Sequence, residues 1–410
     1  MAEIEVPPHF LCPISLQMMR DPVTVSTGIT YDRDSIEKWL LSSSCTKRRC
    51  GVAISCPVTK QPLSDSEDLT PNHTLRRLIQ GWCSLNARHG VERIPTPKAP
   101  VERGDVMKLL REAMKNPSGR VECLRRLNSL VRESEKNRTY LQDAESLEFL
   151  ASMLNKNNDE AIIEEAIQIL SNINSYSDTL LRQLLSKNTD IIGCLISILS
   201  KETGSIPSRS SAISFLNSLY AAADEAVKTF AKDDLFRELT RAITDQVATK
   251  PALQILLHLA PWGRNRIKAV QNGVVFIVIE VLLSSNVGRE CELAIVVLDR
   301  LCECAEGRVE LLRHRGGVAV LARKILRVSH LANDKVVRIL YSVWKNKYGN
   351  CGVMEEMVEV GVVGKMCLLL HVNGGSLKTK ERVKEILLHL QPFVSKVSKC
   401  LHLPLGYDRF

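Results

Sequence analysis

A mainly α protein is what the sequence predicts: a small α+β domain over residues 5–83, then an α-solenoid over residues 104–392. A linker at 84–103 separates them and a tail at 393–410 follows. Three observations carry this expectation. A helical triplet recurs at a nearly fixed interval through the back of the chain, Pro95, Pro97 and Pro100 interrupt the pattern ahead of it, and the front alone mixes period-two alternation with short helical patterns.

In the front domain, residues 1–9 read as a short extended lead-in. No helical period holds from Phe10 to Arg20, and Cys12-Pro13-Ile14 reads as a loop in which proline fixes the backbone and presents an apolar side chain. Val23 and Val25 alternate with Thr24 and Ser26, Ser26-Thr27-Gly28 supplies a turn, and Ile29 to Tyr31 return as the second strand of a hairpin. Asp32 stands at the N-cap position of a short helix, with Asp34 and Glu37 near its start and Ile36, Trp39 and Leu40 on one side. Ser42 to Ser55 has no periodicity and reads as an exposed loop, closed by a second proline-set turn, Cys56-Pro57-Val58-Thr59. Pro71-Asn72 caps a last helix whose Leu75, Leu78, Ile79 and Trp82 fall on one buried face. From Asn86 to Gly104 the prolines and scattered charge predict a semi-rigid linker.

The solenoid rests on self-similarity. Its triplets are Cys123/Leu127/Leu130, Ala166/Leu170/Ile173, Ala212/Leu216/Leu219, Ala252/Leu256/Leu259, Ala294/Leu298/Leu301, Val336/Leu340/Val343 and Val383/Leu387/Leu390, displaced by 43, 46, 40, 42, 42 and 47 residues. A second marker keeps step: Asn265-Arg266 to Gly273 and Gly307-Arg308 to Gly317 read as short helices ending in glycine, with Gly361 44 residues further on, each glycine expected at positive φ. One triplet is only an amphipathic helix, but seven in register predict about seven units with a repeat near 42 residues. Stacked repeats leave a concave face lined by the triplet helix. Two residues after each central position stand Ser129, Asn172, Ser218, His258, Arg300, Ser342 and His389. Asn172, His258 and Arg300 are the candidate groove residues, and Arg300 with the histidines favours an acidic or neutral partner.

Composition narrows the classes. With 45% hydrophobic and 25% charged residues the chain is of soluble globular type. Its net charge of +9 is spread without a polybasic block, and aromatics make up only 5%, so a nucleic-acid surface is disfavoured. The longest apolar runs, such as Val274 to Leu283, stop short of the roughly 20 residues a membrane span needs. Thirteen cysteines follow no disulfide framework and Met1 to His9 is no signal segment, so reduced thiols and a cytosolic place, with the nucleus as alternative, are expected. Cys123, Cys194, Cys291 and Cys367 fall in apolar helical patterns as small core residues.

Cys12, Cys45, Cys50 and Cys56, with His9 and His73, invite a zinc reading. Cys45-x4-Cys50 is the nearest thing to the tight knuckle such sites use, and Cys12 has no partner nearby, so neither metal nor other cofactor is expected. Cys12 as a nucleophile would need an activated thiolate, which His9 three residues away supports weakly; it reads instead as a packed loop residue. No acid/base constellation emerges.

Taken together, Phe10, Cys12-Pro13-Ile14-Ser15, Met19, Asp21-Pro22-Val23, Gly28, Thr30-Tyr31-Asp32-Arg33, Ile36, Trp39-Leu40, Cys56-Pro57, Leu63, Pro71-Asn72 and Leu75 resemble the U-box, the zinc-free relative of the RING finger, over residues 7–83. The repeats look like armadillo repeats, and this layout is that of a large plant family of ubiquitin ligases. The Ser42–Ser55 loop is longer and richer in cysteine than the family's usual turn, and Gln17 stands where glutamate is common.

The resemblance implies that Ile14, Leu16, Trp39 and Pro57 form an apolar groove for a ubiquitin-charged conjugating enzyme, against the plainer reading that they pack a core. It implies that Lys60 bridges that enzyme and ubiquitin, and that Ser15, Asp21, Arg33, Glu37 and Asn72, with Cys12 as a strut, replace zinc. The repeats would select a protein substrate. Import-type armadillo proteins grip basic peptides with asparagines, and only Asn172 matches that pattern. Family members commonly act in stress and immune signalling. The rival reading is a non-enzymatic armadillo adaptor whose front domain dimerises with a second copy.

Overall fold

The structure is a computed structural model that describes residues 6–40, 54–64, 69–89, 91–92 and 101–397, less 156, 174–175, 189, 202–203, 286–287, 346–350 and 373–374. The Ser42–Ser55 loop as far as residue 53, the three linker prolines and the tail from 398 therefore lie outside the described residues. The chain divides into two compact units, residues 1–141 and 142–410. The helices Arg103–Lys115, Arg120–Glu133 and Glu135–Thr139 are grouped with the front domain.

In the front domain β1 (Pro22–Thr24) pairs antiparallel with β2 (Thr30–Asp32), Val23 opposite Tyr31, and Gly28 turns the hairpin at φ +81°. Alternation decides the faces: Val23 and Tyr31 are fully buried, while the hydroxyls of Thr24 and Thr30 meet at 2.9 Å on the other side. A third strand, β3 (Thr70–Pro71), adds to β1; its two residues carry no period by which a sequence could show it. The lead-in also closes into a 3₁₀ turn at Pro8–Phe10, which proline at its start favours.

Helix α1 covers residues 33–40 and α2 spans His73–Leu85, capped as expected by Asn72, whose side chain accepts from the Leu75 N–H at 3.0 Å. The buried face of α2 differs from the expected one: Leu78 is 56% exposed, and Ile79 and Cys83 are buried. Leu75, Ile79 and Cys83 keep the four-residue step that holds a helix row on one side, and Leu78 is turned about 100° from Ile79.

The triplets fold as stacked helices. In the second unit Glu160–Asn172, Ile206–Ala222, Thr249–Leu259, Arg289–Leu301, His330–Lys345 and Leu377–Val397 pack each on the next. Of all triplet positions only Leu130 and Leu387 are half-buried; the rest are buried. Cys123 and Cys291 join this core, whereas Cys194 and Cys367 are only half-buried. The apolar run from Val274 is the largely buried helix Val274–Ser284, and no single described helix is long and apolar enough to cross a membrane.

The second marker has a physical cause. Helix ends leave carbonyls without partners, and the Asn-Arg pair of the following helix supplies donors. Asn137 donates to the Leu130 carbonyl at 2.8 Å and Arg138 to that of Val131 at 2.9 Å. Asn265 and Arg266 treat Leu259 and Ala260 in the same way, at 3.2 and 2.9 Å. In the next repeat Arg308 reaches Cys302 at 2.9 Å, and glycine replaces asparagine because a Cβ on Gly307 would lie 2.0 Å from the Leu301 carbonyl oxygen.

The closing glycines are not equivalent. Gly273 and Gly361 adopt the expected positive φ of +78° and +76°. Gly317 does not: it begins the helix Gly317–Lys324, and its lack of a side chain is required because a Cβ would stand 2.2 Å from the Leu311 carbonyl oxygen.

Candidate functional site

The front domain presents two loops built on one plan. Cys12-Pro13-Ile14-Ser15-Leu16-Gln17 and Cys56-Pro57-Val58-Thr59-Lys60-Gln61 align residue for residue. In each, the cysteine N–H donates to the glutamine carbonyl at 2.8 Å, and the fifth residue's N–H returns to the cysteine carbonyl, at 2.8 Å for Leu16 and 3.0 Å for Lys60. In each, the hydroxyl of the fourth residue accepts from the glutamine N–H at 3.4 Å. The fifth residue is left-handed in both, Leu16 at φ +56° and Lys60 at φ +61°. Such a backbone costs about 1–2 kcal/mol for a residue with a side chain, and it turns Leu16 out to 75% exposure with Lys60 also exposed.

One short stretch holds both loops. The Tyr31 hydroxyl lies 3.0 Å from the Cys56 sulfur, and the Asp32 N–H donates to the Cys12 sulfur at 3.3 Å. The Asp32 carboxylate accepts from the N–H groups of Arg20 and Asp21 at 2.8 and 2.9 Å. Arg33 then donates from Nε to the Asp21 carboxylate at 2.6 Å, with Arg76 3.7 Å from the same group and Glu37 3.9 Å from Arg33. Asn72 donates towards Thr24 and Thr30 at 3.5 and 3.4 Å while capping α2. Of the polar residues singled out from the sequence, Asp21, Arg33, Glu37 and Asn72 are thus brought together around the hairpin, whereas Ser15 acts only inside its own loop.

Both sulfurs are fully buried. Burial pushes the Cys56 thiol up, but hydrogen bonds from the hydroxyls of Thr27, Thr59 and Tyr31 and from the Thr59 backbone outweigh it and bring the thiol down to about 6. Burial and the Cys56 sulfur push the Tyr31 hydroxyl well above its ordinary value. Burial likewise raises Cys12, and the backbone N–H groups of Ser15, Asp32 and Ile14 with the Ser15 hydroxyl bring it below its usual value. These thiols spend their acceptor capacity on the loops, and neither reaches the surface. Among the described residues no group of three His, Cys, Asp or Glu is placed to hold a metal ion.

The outward face mixes apolar and polar groups. Leu16 and Val58 (51%) are exposed beside Ser15, Gln17, Thr59 and Lys60, Ile14 and Pro57 are half-buried, and Ile14 and Trp39 also pack on the front core, the Trp39 Nε1–H donating to the Ser55 carbonyl at 2.9 Å. Trp39 therefore ties α1 to the second loop as well as lining its edge. Val58, Tyr31, Asp32 and Thr27 join the site although none is among the residues the sequence singles out for it. The matching pattern of the two six-residue loops, with Val58 in the place of Ile14, is the available signal for the first; the others bind the loop sulfurs across 20 or more residues, which no local pattern shows.

On the repeats the helix phase shifts the expected row. The residue after the central leucine reaches the next helix two residues before its own: Asn217 donates to Gln254 at 3.0 Å, Arg338 pairs with Asp299, and Tyr341 donates to Glu385 at 2.9 Å. Asn172, His258 and Arg300 stand one position on and are half-buried. Arg300 pairs with Glu303 at 3.0 Å. Burial, then Lys228, holds His258 below the ordinary imidazole value.

Comparison with known proteins agrees with this geometry. A U-box domain family matches residues 6–88, and the family described as the plant U-box protein ARM repeat region matches residues 105–405. The chain is 45% identical to the E3 ubiquitin-protein ligase PUB23 of Arabidopsis thaliana, over 97% of this chain and 96% of that one. It is 42% identical to PUB22 of the same plant, covering 100% and 99%, and 36% identical to PUB24, covering 94% and 92%. Among solved structures, an engineered protein 20% identical in sequence superposes with a TM-score of 0.52 over 70% of this chain and 68% of its own, a likeness of fold alone. From the matched loops at the front and the stacked triplets behind them, the chain belongs to the plant U-box family with an ARM repeat region.

Proposed function

We propose that the chain is a U-box ubiquitin-protein ligase in which the two matched loops dock a ubiquitin-charged conjugating enzyme and the repeats hold a protein substrate. The observation that carries the docking role is the pair of identically folded loops presenting Ile14, Leu16, Pro57 and Val58 above buried sulfurs. An exposed face of this kind, with its backbone pre-ordered, suits recognition of a partner loop. With both loop thiols buried, the reacting thioester is the partner's, and this chain contributes position. Lys60, held out by its left-handed backbone, bridges enzyme and ubiquitin and restricts the conjugate to a reactive pose, lowering the entropic part of the barrier. The relatives' names as ligases support this reading, and the thiols fit a reducing compartment, the cytosol or the nucleus.

Self-ubiquitination by the purified chain tests it. Ile14→Arg is expected to weaken conjugating-enzyme binding by about 30-fold, the 2 kcal/mol of an interface anchor, and to abolish chain formation while the far-UV circular dichroism stays that of the folded chain. Full activity in that variant would remove the docking face. Lys60→Ala is expected to slow ubiquitin discharge more than it weakens binding, whereas equal losses would make Lys60 an ordinary contact. A non-enzymatic adaptor would form no chains even in the unmodified protein.

A further inference from the structure

The helix row changes character along its length. Its early rung, Asn217 with Gln254, is neutral. The later rungs are charged, and their cations outnumber their acids. Asp299, 2% exposed, is met by Lys335 at 3.2 Å and by Arg338. Glu303 is met by Arg266 at 3.3 Å and by Arg300 and Arg338 at 3.0 Å each. Four cations thus share two carboxylates.

One rung further, rings and cations are interleaved. The Tyr341 ring has the Lys345 ammonium 5.2 Å and the Arg382 guanidinium 5.7 Å from its centroid, and Lys345 also donates to the Tyr341 hydroxyl at 3.1 Å. Glu385 is the acid of this rung. Tyr341 continues into Trp344 at 5.4 Å and Trp344 into His389 at 4.6 Å between ring centroids. Lys345 and His389 are exposed, and Tyr341, Trp344 and Arg382 are half-buried.

We propose that the row from Arg300 to Arg382 is the surface on which the substrate docks, and that it takes an acidic segment carrying an aromatic or aliphatic side chain. A carboxylate seated between Lys345 and Arg382 completes the charge balance of its rung, and an apolar side chain beside it covers the Tyr341–Trp344 rings. Charge decides against the other occupants. A second copy of the chain carries a net charge of +9 and is of the wrong sign on balance. A nucleic acid would lay unbroken phosphates over Glu303 and Glu385, whose interleaved carboxylates suit separated acidic side chains instead.

This inference rests on the reading that the repeats hold substrate, and the experiment separates the two. The probe is a fluorescein-labelled dodecapeptide of glutamate and tyrosine, followed by anisotropy with the full-length chain. A dodecapeptide of lysine and tyrosine and an oligothymidylate are the counter-probes. The acidic peptide is expected to bind at least about tenfold more tightly than either counter-probe. Lys345→Glu, on an exposed side chain, and Arg382→Glu, on a half-buried one, are each expected to weaken it about tenfold, with circular dichroism and self-ubiquitination unchanged. Equal binding of either counter-probe, or full binding by both variants, overturns the proposal. If the unmodified chain builds ubiquitin chains but ignores the acidic peptide, only the docking chemistry fails. If it builds none, the ligase reading itself fails.

Discussion

Cys56 concentrates the chemistry of the front domain in one atom. Its thiol lies at about 6 against an ordinary value of 9, because three hydroxyls and a backbone N–H reward the thiolate. A group held below its unfolded value stabilises the fold as the thiolate. That contribution is complete above pH 9, shrinks as pH falls and is gone below about pH 6. Unfolding followed from pH 6 to 9 should therefore show the front domain gaining stability relative to Cys56→Ser, by up to about 3 kcal/mol over the window. A constant offset between the two proteins would mean that the sulfur is a neutral acceptor. Ala248 gives a second test at this scale, since it sits at φ +53° and ψ +43° in the turn after Asp233–Thr244. Ala248→Gly should raise the melting midpoint by the equivalent of about 0.5–1 kcal/mol, the left-handed penalty less the extra chain entropy of glycine; a lower midpoint would show that the methyl group packs.

Among the elements, the repeat helices show how two glycines can be required for different reasons. Gly307→Ala drives a Cβ to 2.0 Å from the Leu301 carbonyl and breaks the approach of two helices, whereas Gly273→Ala meets nothing within 4 Å and is only strained at φ +78°. The first should cost about 2–3 kcal/mol or more and the second about 1–2 kcal/mol, as read by denaturant midpoints; a reversed order would refute the close-approach account. The sequence made the period of these elements legible because burial repeats with the helix turn, so the triplets could be placed before any contact was known. It placed the hairpin through period-two alternation about a glycine turn, and the Asn72 cap through a side chain that can accept from the first-turn N–H groups. It could not distinguish positive φ from close approach at Gly317, since both select glycine, and it set the buried face of α2 on Leu78 instead of Cys83 because a small thiol carries less apolar weight than leucine.

For the molecule as a whole, the docking loops were readable in composition and not in wiring. Cys12, Pro13, Cys56 and Pro57 announced two turns, yet the adjacent residues Tyr31 and Asp32 that bind the two sulfurs lie 25 and 20 residues from them, beyond the reach of periodicity. The proposed division of labour can be tested across the two compact units. Ile14 belongs to the first and Lys345 to the second. If the first serves only the conjugating enzyme and the second only the substrate, Lys345→Glu should leave conjugating-enzyme affinity unchanged and Ile14→Arg should leave acidic-peptide affinity unchanged. In a transfer assay with a substrate captured by the repeats, a milder pair, Ile14→Ala and Lys345→Ala, should lower kcat/KM additively, with the double variant within about 0.5 kcal/mol of the summed single effects. A larger interaction term would show that substrate on the repeats alters how the loops receive their partner, and the two units would then have to be treated as one coupled machine.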